Sequence, residues 1–303
     1  MATPIPYIRD IEFEYGKISQ VSPMIRRVFC NNPGAFTFKG TGTYIVGKGN
    51  VAVVDPGPLD DTHIAALLQA LDGETVTHQI ITHTHRDHSP AAAPLKVATA
   101  APTYGYGPHH GNQRAPKVEE GGDWDFRPDH VVQDGDIIEG NGWTLEAVHT
   151  PGHTSNHLCF ALKEENALFS GDHVMGWSTS VISPPDGHMG DYLFQLARMR
   201  DRDFTRLWPT HGPAVESPSA FIQAYIDHRL AREDQILACL AEGHTTIREM
   251  VEVMYVDVDK RLHPAAAHSV LAHVIHLVEL GKVASDAVDQ IDLTATFKLA
   301  EAA

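Results

Sequence analysis

Four side chains of types that commonly bind metal ions follow one short apolar stretch of the sequence. Residues 79–82 have the pattern of a buried strand, and His83, His85, Asp87 and His88 come directly after it. At the end of a strand, the chain can turn so that the first two of these residues face one metal ion and the last two face another. A single histidine is usually a structural or surface residue, but four ligand types at this spacing indicate a metal site.

Three later segments offer the further ligands that a site for two metal ions would need. Each places one ligand residue at the end of an apolar strand, and these residues are His153, Asp172 and His211. Each segment alone is weak evidence, because Pro-Gly-His and Gly-Asp are also ordinary turn sequences. Together with the first four residues, and with 20 histidines in 303 residues, they predict a site for two divalent ions. Nitrogen and oxygen ligands favour zinc and also accept iron or manganese.

The elements that must position these residues follow a mixed α/β pattern in the first half of the chain. Apolar residues at helical spacing predict a helix over residues 59–71, and residues 104–129 form an insertion rich in glycine, proline and charge. The predicted strands cover residues 11–15, 43–46, 51–54, 79–82, 143–149, 157–162 and 167–169.

The pattern becomes helical near residue 217. Ser217 and Pro218 are typical of a helix N-terminus, and the apolar residues after them predict one long helix that ends at Gly243. Thr246 and Glu249 have the spacing of a capping box and predict a second helix.

A third helix and two short strands complete the predicted C-terminal region. The helix begins at Pro264, and the strand-like pieces cover residues 282–284 and 294–299. Three helices and a terminal hairpin are typical of a winged helix. We therefore expect a catalytic domain over residues 1–218 and a small helical, winged-helix-like domain over residues 219–303.

The ligand pattern resembles that of the metallo-β-lactamase superfamily, whose signature His-x-His-x-Asp-His is met at residues 83–88. The resemblance implies an αββα sandwich and a dinuclear site of the glyoxalase-II-like branch. It assigns the first metal ion to His83, His85 and His153, the second to Asp87, His88 and His211, and a bridging position to Asp172. It also implies that Asp55, after an earlier apolar strand, supports a metal-binding histidine.

The second half of the chain is similar to a narrower group of lactamase-like proteins that includes a mitochondrial endoribonuclease. The similarity lies in Pro-Gly-His-Thr at residues 151–154, Thr-His-Gly-Pro at residues 210–213 and Ile-Asp-His-Arg-Leu-Ala-Arg at residues 226–232. Members of this group carry a C-terminal domain of winged-helix type, which agrees with the pattern after residue 217.

Hydrolysis is the reaction that such a site performs best. Two neighbouring divalent ions lower the pKa of a bridging water and polarise the bond under attack, and Asp87 can orient the resulting hydroxide. We expect the substrate to be an ester, thioester, lactone or amide of a small or medium-sized molecule. The alternatives are an endoribonuclease that acts on single-stranded RNA and a non-catalytic interaction module.

Composition separates these functions in part. The chain has 23 Lys and Arg residues against 39 Asp and Glu residues, a net charge of −16. An acidic protein lacks the electrostatic attraction that phosphate backbones require, so nucleic acid is disfavoured as a partner. The three cysteines form no motif, and neither a membrane span nor a signal peptide is evident, so we expect a cytoplasmic protein.

Several other residues could contribute to the site or could be structural. His157 lies close enough to His153 to support it, but a structural hydrogen bond explains it equally well, and we leave it out of the ligands. The residues whose role the sequence leaves open are His109, His110, His173, Trp177, His188 and Tyr192.

Overall fold

The fold is a sandwich of two β-sheets with helices on both outer faces, followed by a helical domain. The computed structural model describes residues 4–111, 113, 119–287 and 290–301, so part of the predicted insertion lies outside the described residues. Apolar side chains of both sheets meet in the middle of the sandwich, where Tyr44, Trp143 and Phe160 are buried. The predicted αββα architecture is therefore confirmed.

The first sheet has seven strands within the described residues. In order across the sheet they are β1 (Ile18–Gln20), β2 (Ile25–Phe29), β3 (Gly42–Val46), β4 (Asn50–Val54), β5 (Thr75–Ile80), β6 (Thr103–Gly105) and β7 (His130–Val131). Strands β1 to β4 pair antiparallel, whereas β4 to β7 pair in parallel. The carboxyl ends of β4 and β5 therefore lie at the same edge of the sheet.

The second sheet has five strands in the described part of the chain. They are β8 (Ile137–Gly140), β9 (Trp143–His149), β10 (Leu158–Leu162), β11 (Ala167–Gly171) and β12 (Arg206–Pro209), in the spatial order β12-β11-β10-β9-β8. Both β9 and β11 are antiparallel to β10, and β12 is parallel to β11. Strands β9, β11 and β12 therefore all end at one edge of this sheet.

Three helices cover the outer faces of the sandwich. They are α1 (Asp61–Ala70), α2 (Ala92–Thr99) and α3 (Met189–Arg200). Leu67 of α1 and Leu95 of α2 pack in one cluster with the first sheet. Tyr192 and Leu196 of α3 pack against the second sheet. The predicted helix at residues 59–71 corresponds to α1, which begins after Asp60, whose side chain caps it at the amide of His63.

The prediction of a strand at residues 11–15 was wrong. These residues are half-buried or exposed, and within them only Tyr15 makes a single β-bridge, to Phe29. The sequence patterns also did not predict strands β1, β2, β6, β7 and β8 or helices α2 and α3. Helix α3 has apolar residues at helical spacing, but the loop before it made the segment resemble an irregular connection.

The described part of the C-terminal region contains three α-helices and a two-stranded sheet. Its elements are α4 (Pro218–Ala241), α5 (Ile247–Met254), α6 (His263–Glu279), β13 (Val283–Ser285) and β14 (Phe297–Leu299). Thr246 and Glu249 form the predicted capping box of α5. Ser217 occupies the N-cap position of α4, but its side chain makes no capping hydrogen bond. Among the described residues, no helix is both long and apolar enough to cross a membrane.

Helix α4 takes part in two hydrophobic cores. Near its start, Phe221 and Tyr225 pack with the second sheet and α3. Near its end, Ile236 and Leu240 pack with α5 and α6. Because one continuous helix belongs to both cores, the boundary between residues 218 and 219 stays a prediction.

A buried arginine joins the first sheet to the loop after the last strand of the second. Arg27 of β2 donates hydrogen bonds to the carbonyl oxygens of Gly212 at 2.8 Å, Pro209 at 3.0 Å and Thr210 at 2.7 Å. Its guanidinium also lies 4.6 Å from the centre of the Tyr44 ring. These contacts fix the backbone on both sides of His211.

We predict that Gly42→Ala destabilises the protein by about 2–4 kcal/mol. A β-carbon at Gly42 would lie 2.0 Å from Nε of the buried Arg27, which would have to leave its carbonyl partners. Urea unfolding measures the change. Gly107→Ala is the matched control, because a β-carbon there meets no atom within 4 Å and we expect a change below about 0.5 kcal/mol. Equal stability of the two variants would contradict this packing.

We also predict that His63 makes folding sensitive to acid. Burial lowers the pKa of His63 from 6.5 to about 4. Between these values the unfolded chain binds the proton more readily, so the free energy of unfolding falls as the pH falls from about 6.5 to about 4, by about 3 kcal/mol in total. Urea titrations of metal-free wild type and His63→Gln should show their difference shrinking over that range. Exposed His130→Gln serves as the control, and a pH-independent difference for His63→Gln would refute the prediction.

Candidate metal centre

The seven candidate ligands gather where the carboxyl ends of strands from both sheets meet. The 83–88 turn follows β5, whereas His153, Asp172 and His211 follow β9, β11 and β12. The two edges are joined directly, because the amide of Leu158 donates a hydrogen bond to the carbonyl oxygen of Thr82 at 2.7 Å. The strand directions thus bring residues that are far apart in sequence to one place.

The first group of ligand atoms consists of three ring nitrogens. Nε2 of His83 and Nε2 of His153 each lie 3.1 Å from Nδ1 of His85. Metal–nitrogen bonds of about 2.1 Å place neighbouring ligands roughly 3.4 Å apart around a tetrahedral ion. The three nitrogens are therefore close to the arrangement that one divalent ion requires.

The second group combines a carboxylate with two imidazoles. Oδ2 of Asp87 lies 3.0 Å from Nε2 of His211 and 3.5 Å from Nε2 of His88. Both imidazole nitrogens also lie 3.5 Å from Oδ2 of Asp172. Asp172 forms a further group with His83 of the first group and His88 of the second. Its carboxylate therefore lies between the two groups of ligand atoms.

The donor atoms that face this centre fit a bound metal ion. Nε2 of His88, Nε2 of His211 and Oδ1 of Asp172 are buried, and none makes a hydrogen bond within the described part of the chain. Such unpaired buried atoms are costly unless a ligand satisfies them. The nitrogen and oxygen donors suit zinc, iron or manganese.

In two ligand imidazoles, the ring nitrogen that faces away from the centre makes a hydrogen bond that fixes the orientation of the ring. Nδ1 of His153 donates to the carbonyl oxygen of Val181 at 2.7 Å. Nδ1 of His211 donates to the carbonyl oxygen of Gly40 at 3.2 Å. With Nδ1 protonated, Nε2 of each ring presents a lone pair to the centre.

Asp55 lies behind the ligands and holds several of their supports. Its Oδ2 accepts hydrogen bonds from Nδ1 of His88 at 2.9 Å and from the hydroxyls of Thr82 and Thr210, both at 2.8 Å. Its Oδ1 accepts from the backbone amide of Thr82 at 2.9 Å. The Thr82 hydroxyl also contacts Nδ1 of His83 at 3.1 Å. The backbone φ of Asp55 is +48°, an unusual conformation that aims its carboxylate inward.

The two groups of ligands differ in their electrostatics. Burial and then the neighbouring histidines lower the pKa of His83 and His85 well below the usual value, so both rings are neutral. Burial alone would also lower the pKa of His88, but the carboxylates around it, Asp87 first and then Asp172, raise it well above the usual value. The first group is thus neutral, whereas the carboxylates of the second group favour positive charge, either on His88 or on a bound cation.

His157 supports the loop that carries Asp172, and it belongs to none of the groups of candidate ligand atoms found in the described part of the chain. Its Nε2 accepts a hydrogen bond from the amide of Asp172 at 3.2 Å, and its Nδ1 lies 2.8 Å from the Thr150 hydroxyl. Gly171 has φ +51°, and a β-carbon there would lie 2.6 Å from Nε2 of His157. A glycine is therefore required before Asp172.

A cavity of about 430 Å³ opens over the first group of ligands. His85 and His153 line it from below, and His109, His110 and Trp124 line it from the loop that follows β6. This volume lies within the range of small-molecule sites. The two loop histidines, whose role the sequence left open, thus belong to the cleft.

Four other residues that the sequence left open do not line this cavity within the described residues. His173 is buried and its carbonyl accepts from Tyr192, whereas Nδ1 of His188 caps α3. Trp177 stacks on Phe38 with ring centres 4.8 Å apart. None of the four belongs to the groups of candidate ligand atoms found among the described residues.

Glu119 is a further side chain beside the candidate metal ligands, and the sequence patterns did not indicate it. Its Oε2 lies 4.0 Å from Nδ1 of His153, and it lines the same cavity. Burial, followed by the negative charges of Asp172 and Asp87, raises the pKa of Glu119 well above its usual value. The sequence around it has no periodicity that could have identified it.

Comparisons with known proteins agree with this geometry. The family model described as "Metallo-beta-lactamase superfamily" matches residues 37–211, which is more than half of the chain, and the "Beta-lactamase associated winged helix domain" matches residues 246–290. A solved β-lactamase domain protein from Burkholderia ambifaria has the same fold, with a TM-score of 0.79, 19% identity and 96% of each chain covered. The solved metallo-β-lactamase family protein TTHA1429 from Thermus thermophilus has a TM-score of 0.73 at 20% identity and covers 92% of this chain and all of its own.

Curated relatives span most of the chain. The lactamase-like protein adaB of Aspergillus niger is 30% identical over 286 residues, which cover 84% of each protein. The β-lactamase-like protein 2 homolog of Caenorhabditis elegans is 32% identical over 262 residues, 84% of this chain and 83% of its own. The atrochrysone carboxyl ACP thioesterase dmxR1 of Cryptosporiopsis sp. is 29% identical over 302 residues, 92% of this chain and 85% of its own. This chain therefore belongs to the metallo-β-lactamase superfamily and is a hydrolase of that superfamily with a C-terminal β-lactamase-associated winged helix domain.

Proposed function

We propose that the protein is a dinuclear metal-dependent hydrolase that cleaves an ester, thioester, lactone or amide bond of a small or medium-sized molecule. The observation that carries the proposal is the position of Asp172, whose carboxylate lies between two groups of buried ligand atoms. His83, His85 and His153 would hold one ion, and Asp87, His88 and His211 would hold the other. Asp172 would contact both ions, and its charge would offset part of theirs.

When bound, two divalent ions lower the pKa of a shared water to near neutrality and polarise the bond under attack. The protein's part is to position the reactants. Although burial alone would raise the pKa of Asp87, the adjacent His88 and His211 lower it well below the usual value. The ionised carboxylate can therefore accept a hydrogen bond and orient the attacking water. The hydrogen bonds of Asp55 keep His88 in the tautomer that presents Nε2 to the centre.

The cavity and the relatives support an acyl compound as substrate. A cleft of about 430 Å³ accommodates a small or medium-sized molecule. Relatives named as atrochrysone carboxyl ACP thioesterases make thioesters the first class to test. The net charge of −16 disfavours RNA, because it repels a phosphate backbone.

The direct test is a substrate screen with metal-replete protein. Matched esters, thioesters, lactones, amides and a single-stranded RNA should be assayed with zinc, manganese or iron. We expect turnover of at least one acyl compound and none of the RNA. Cleavage of RNA alone would establish the ribonuclease alternative, and inactivity with every compound would favour an interaction module.

We predict that the metal-replete protein binds two divalent ions per chain. Seven buried donor residues in overlapping groups are more than one ion can use. Elemental analysis after removal of free metal should give about two ions, and chelation should abolish turnover. One ion per chain at saturating metal would contradict the dinuclear proposal.

We predict that Asp172→Asn lowers turnover by at least about 100-fold, because even groups that only support metal ligands contribute 10- to 100-fold. The amide cannot neutralise two cations, so the second ion should be lost at lower chelator concentrations than the first. Metal analysis and kinetics on the best acyl substrate measure both effects. Asp191→Asn, the same change at a side chain that is 57% exposed, is the control. Full activity of Asp172→Asn would remove this residue from the site.

A further inference from the structure

The cleft above the metal centre has one wall from outside the matched catalytic region. The cavity is bounded on one side by the loop that carries Trp124 and on another by the turn with Ser183, Pro184 and Pro185. The turn also carries Asp186, and beyond residue 186 the described part of the chain contributes only His268 of α6 to the lining. The C-terminal domain therefore supplies part of the surface that a substrate would meet.

Polar contacts hold α6 against α3 of the catalytic domain and against α4 near this wall. Nε2 of His188, at the start of α3, lies 3.0 Å from the Glu279 carboxylate of α6. Nδ1 of His276, also on α6, lies 2.7 Å from the carboxylate of Glu233 on α4. A β-carbon at Gly190 would come within 3.0 Å of the His276 ring, so the two helices approach closely. His268 is thus held at a defined place on the rim of the cleft.

The two histidines in the second half of α6 have a carboxylate partner, whereas His268 in the first half does not. Both His273 and His276 contact Glu233. The single hydrogen bond given by the described residues for His268 joins its Nδ1 to the Ser183 hydroxyl at 3.4 Å, which is long for such a bond. A weak contact of this kind contributes little to stability, and Nε2 has no partner within the described part of the chain. The ring is free to exchange this contact for one with a ligand.

The surroundings of His268 indicate the chemistry that it would recognise. Burial lowers the pKa of His268, so its imidazole is neutral at neutral pH and offers one donor and one acceptor. Pro184 and Pro185 beside it, and Trp124 on the loop, provide apolar surface. The same lining carries Asp186 next to the two prolines, and an acidic side chain there disfavours an anionic group. A neutral imidazole between apolar surface and an acidic side chain suits an acyl chain or ring that carries an uncharged hydroxyl or carbonyl oxygen.

We propose that His268 is a specificity-determining residue of the metal cleft, contributed by the C-terminal domain, that binds an uncharged oxygen on the acyl part of the substrate. The proposal rests on the proposed hydrolase function. It explains why a histidine with no strong structural contact lines the same cavity as two candidate metal ligands.

The test uses three N-acetylcysteamine thioesters that differ only in their acyl part: hexanoyl, 3-hydroxyhexanoyl and succinyl. We expect the metal-replete wild type to favour the 3-hydroxyhexanoyl compound. His268→Ala should raise KM for that compound about five- to tenfold, the effect of losing one hydrogen bond, and should leave kcat and the hexanoyl KM within about twofold. His268→Gln should recover part of the lost affinity, because its amide can also donate and accept.

The matched control is His263→Ala, the same change at the first residue of α6. His263 lines a different groove, beside Ile247 and Lys260, and we expect unchanged kinetics. Metal content and thermal unfolding of each variant should match those of the wild type. A KM shift that is equal for the hydroxylated and plain thioesters would overturn the proposed recognition.

A binding measurement separates this proposal from the proposed function. The thioether analogue of the 3-hydroxyhexanoyl compound cannot be hydrolysed, and calorimetry gives its affinity without turnover. Weaker binding to His268→Ala than to wild type, by five- to tenfold, supports the role of His268 even if no thioester is cleaved. Equal binding to both proteins, or no binding to the wild type, overturns it. Absence of thioester turnover counts only against the thioester form of the proposed function.

Discussion

One buried carboxylate connects the parts of the metal centre. Asp55 receives hydrogen bonds from His88, from Thr82 at the end of one sheet and from Thr210 at the end of the other. These residues adjoin or belong to the candidate ligands, so a shift of Asp55 would move ligands on both sides of the sandwich. Its left-handed backbone conformation shows that the surrounding structure favours the carboxylate position over local backbone preference.

The strand directions supply the rest of the geometry. Candidate ligands follow the ends of β5, β9, β11 and β12, and the two sheets pack so that these ends meet. Arg27 of β2 in the first sheet also joins the two sheets, because its guanidinium donates hydrogen bonds to the carbonyl oxygens around His211. Because rigid strands and Arg27 fix their ends, irregular loops can hold the ligand atoms within a few ångströms of one another.

The sequence predicted the parts of the site that depend on local spacing. The 83–88 motif and the three later residues could be identified because each follows an apolar strand. Arg27 could not, since its role arises from contacts with residues more than 180 positions away. Thr82 and Thr210 were overlooked although the sequence contains a signal for them. Each directly precedes a histidine that is a candidate ligand. The mixed α/β layout followed from alternating patterns, and the αββα sandwich followed from the family resemblance at residues 83–88. Helix α3 was missed because a long irregular loop precedes its helical spacing.

The continuous helix α4 has a consequence for how this enzyme can diversify. Its two ends lie in separate hydrophobic cores, so a continuous helix, and not a flexible linker, connects the C-terminal domain (the appended domain) to the catalytic domain. Mutations in the appended domain can then reshape the rim of the cleft while the buried ligands stay untouched. With the proposed role of His268, selectivity can change through the appended domain while the residues of the metal centre stay the same.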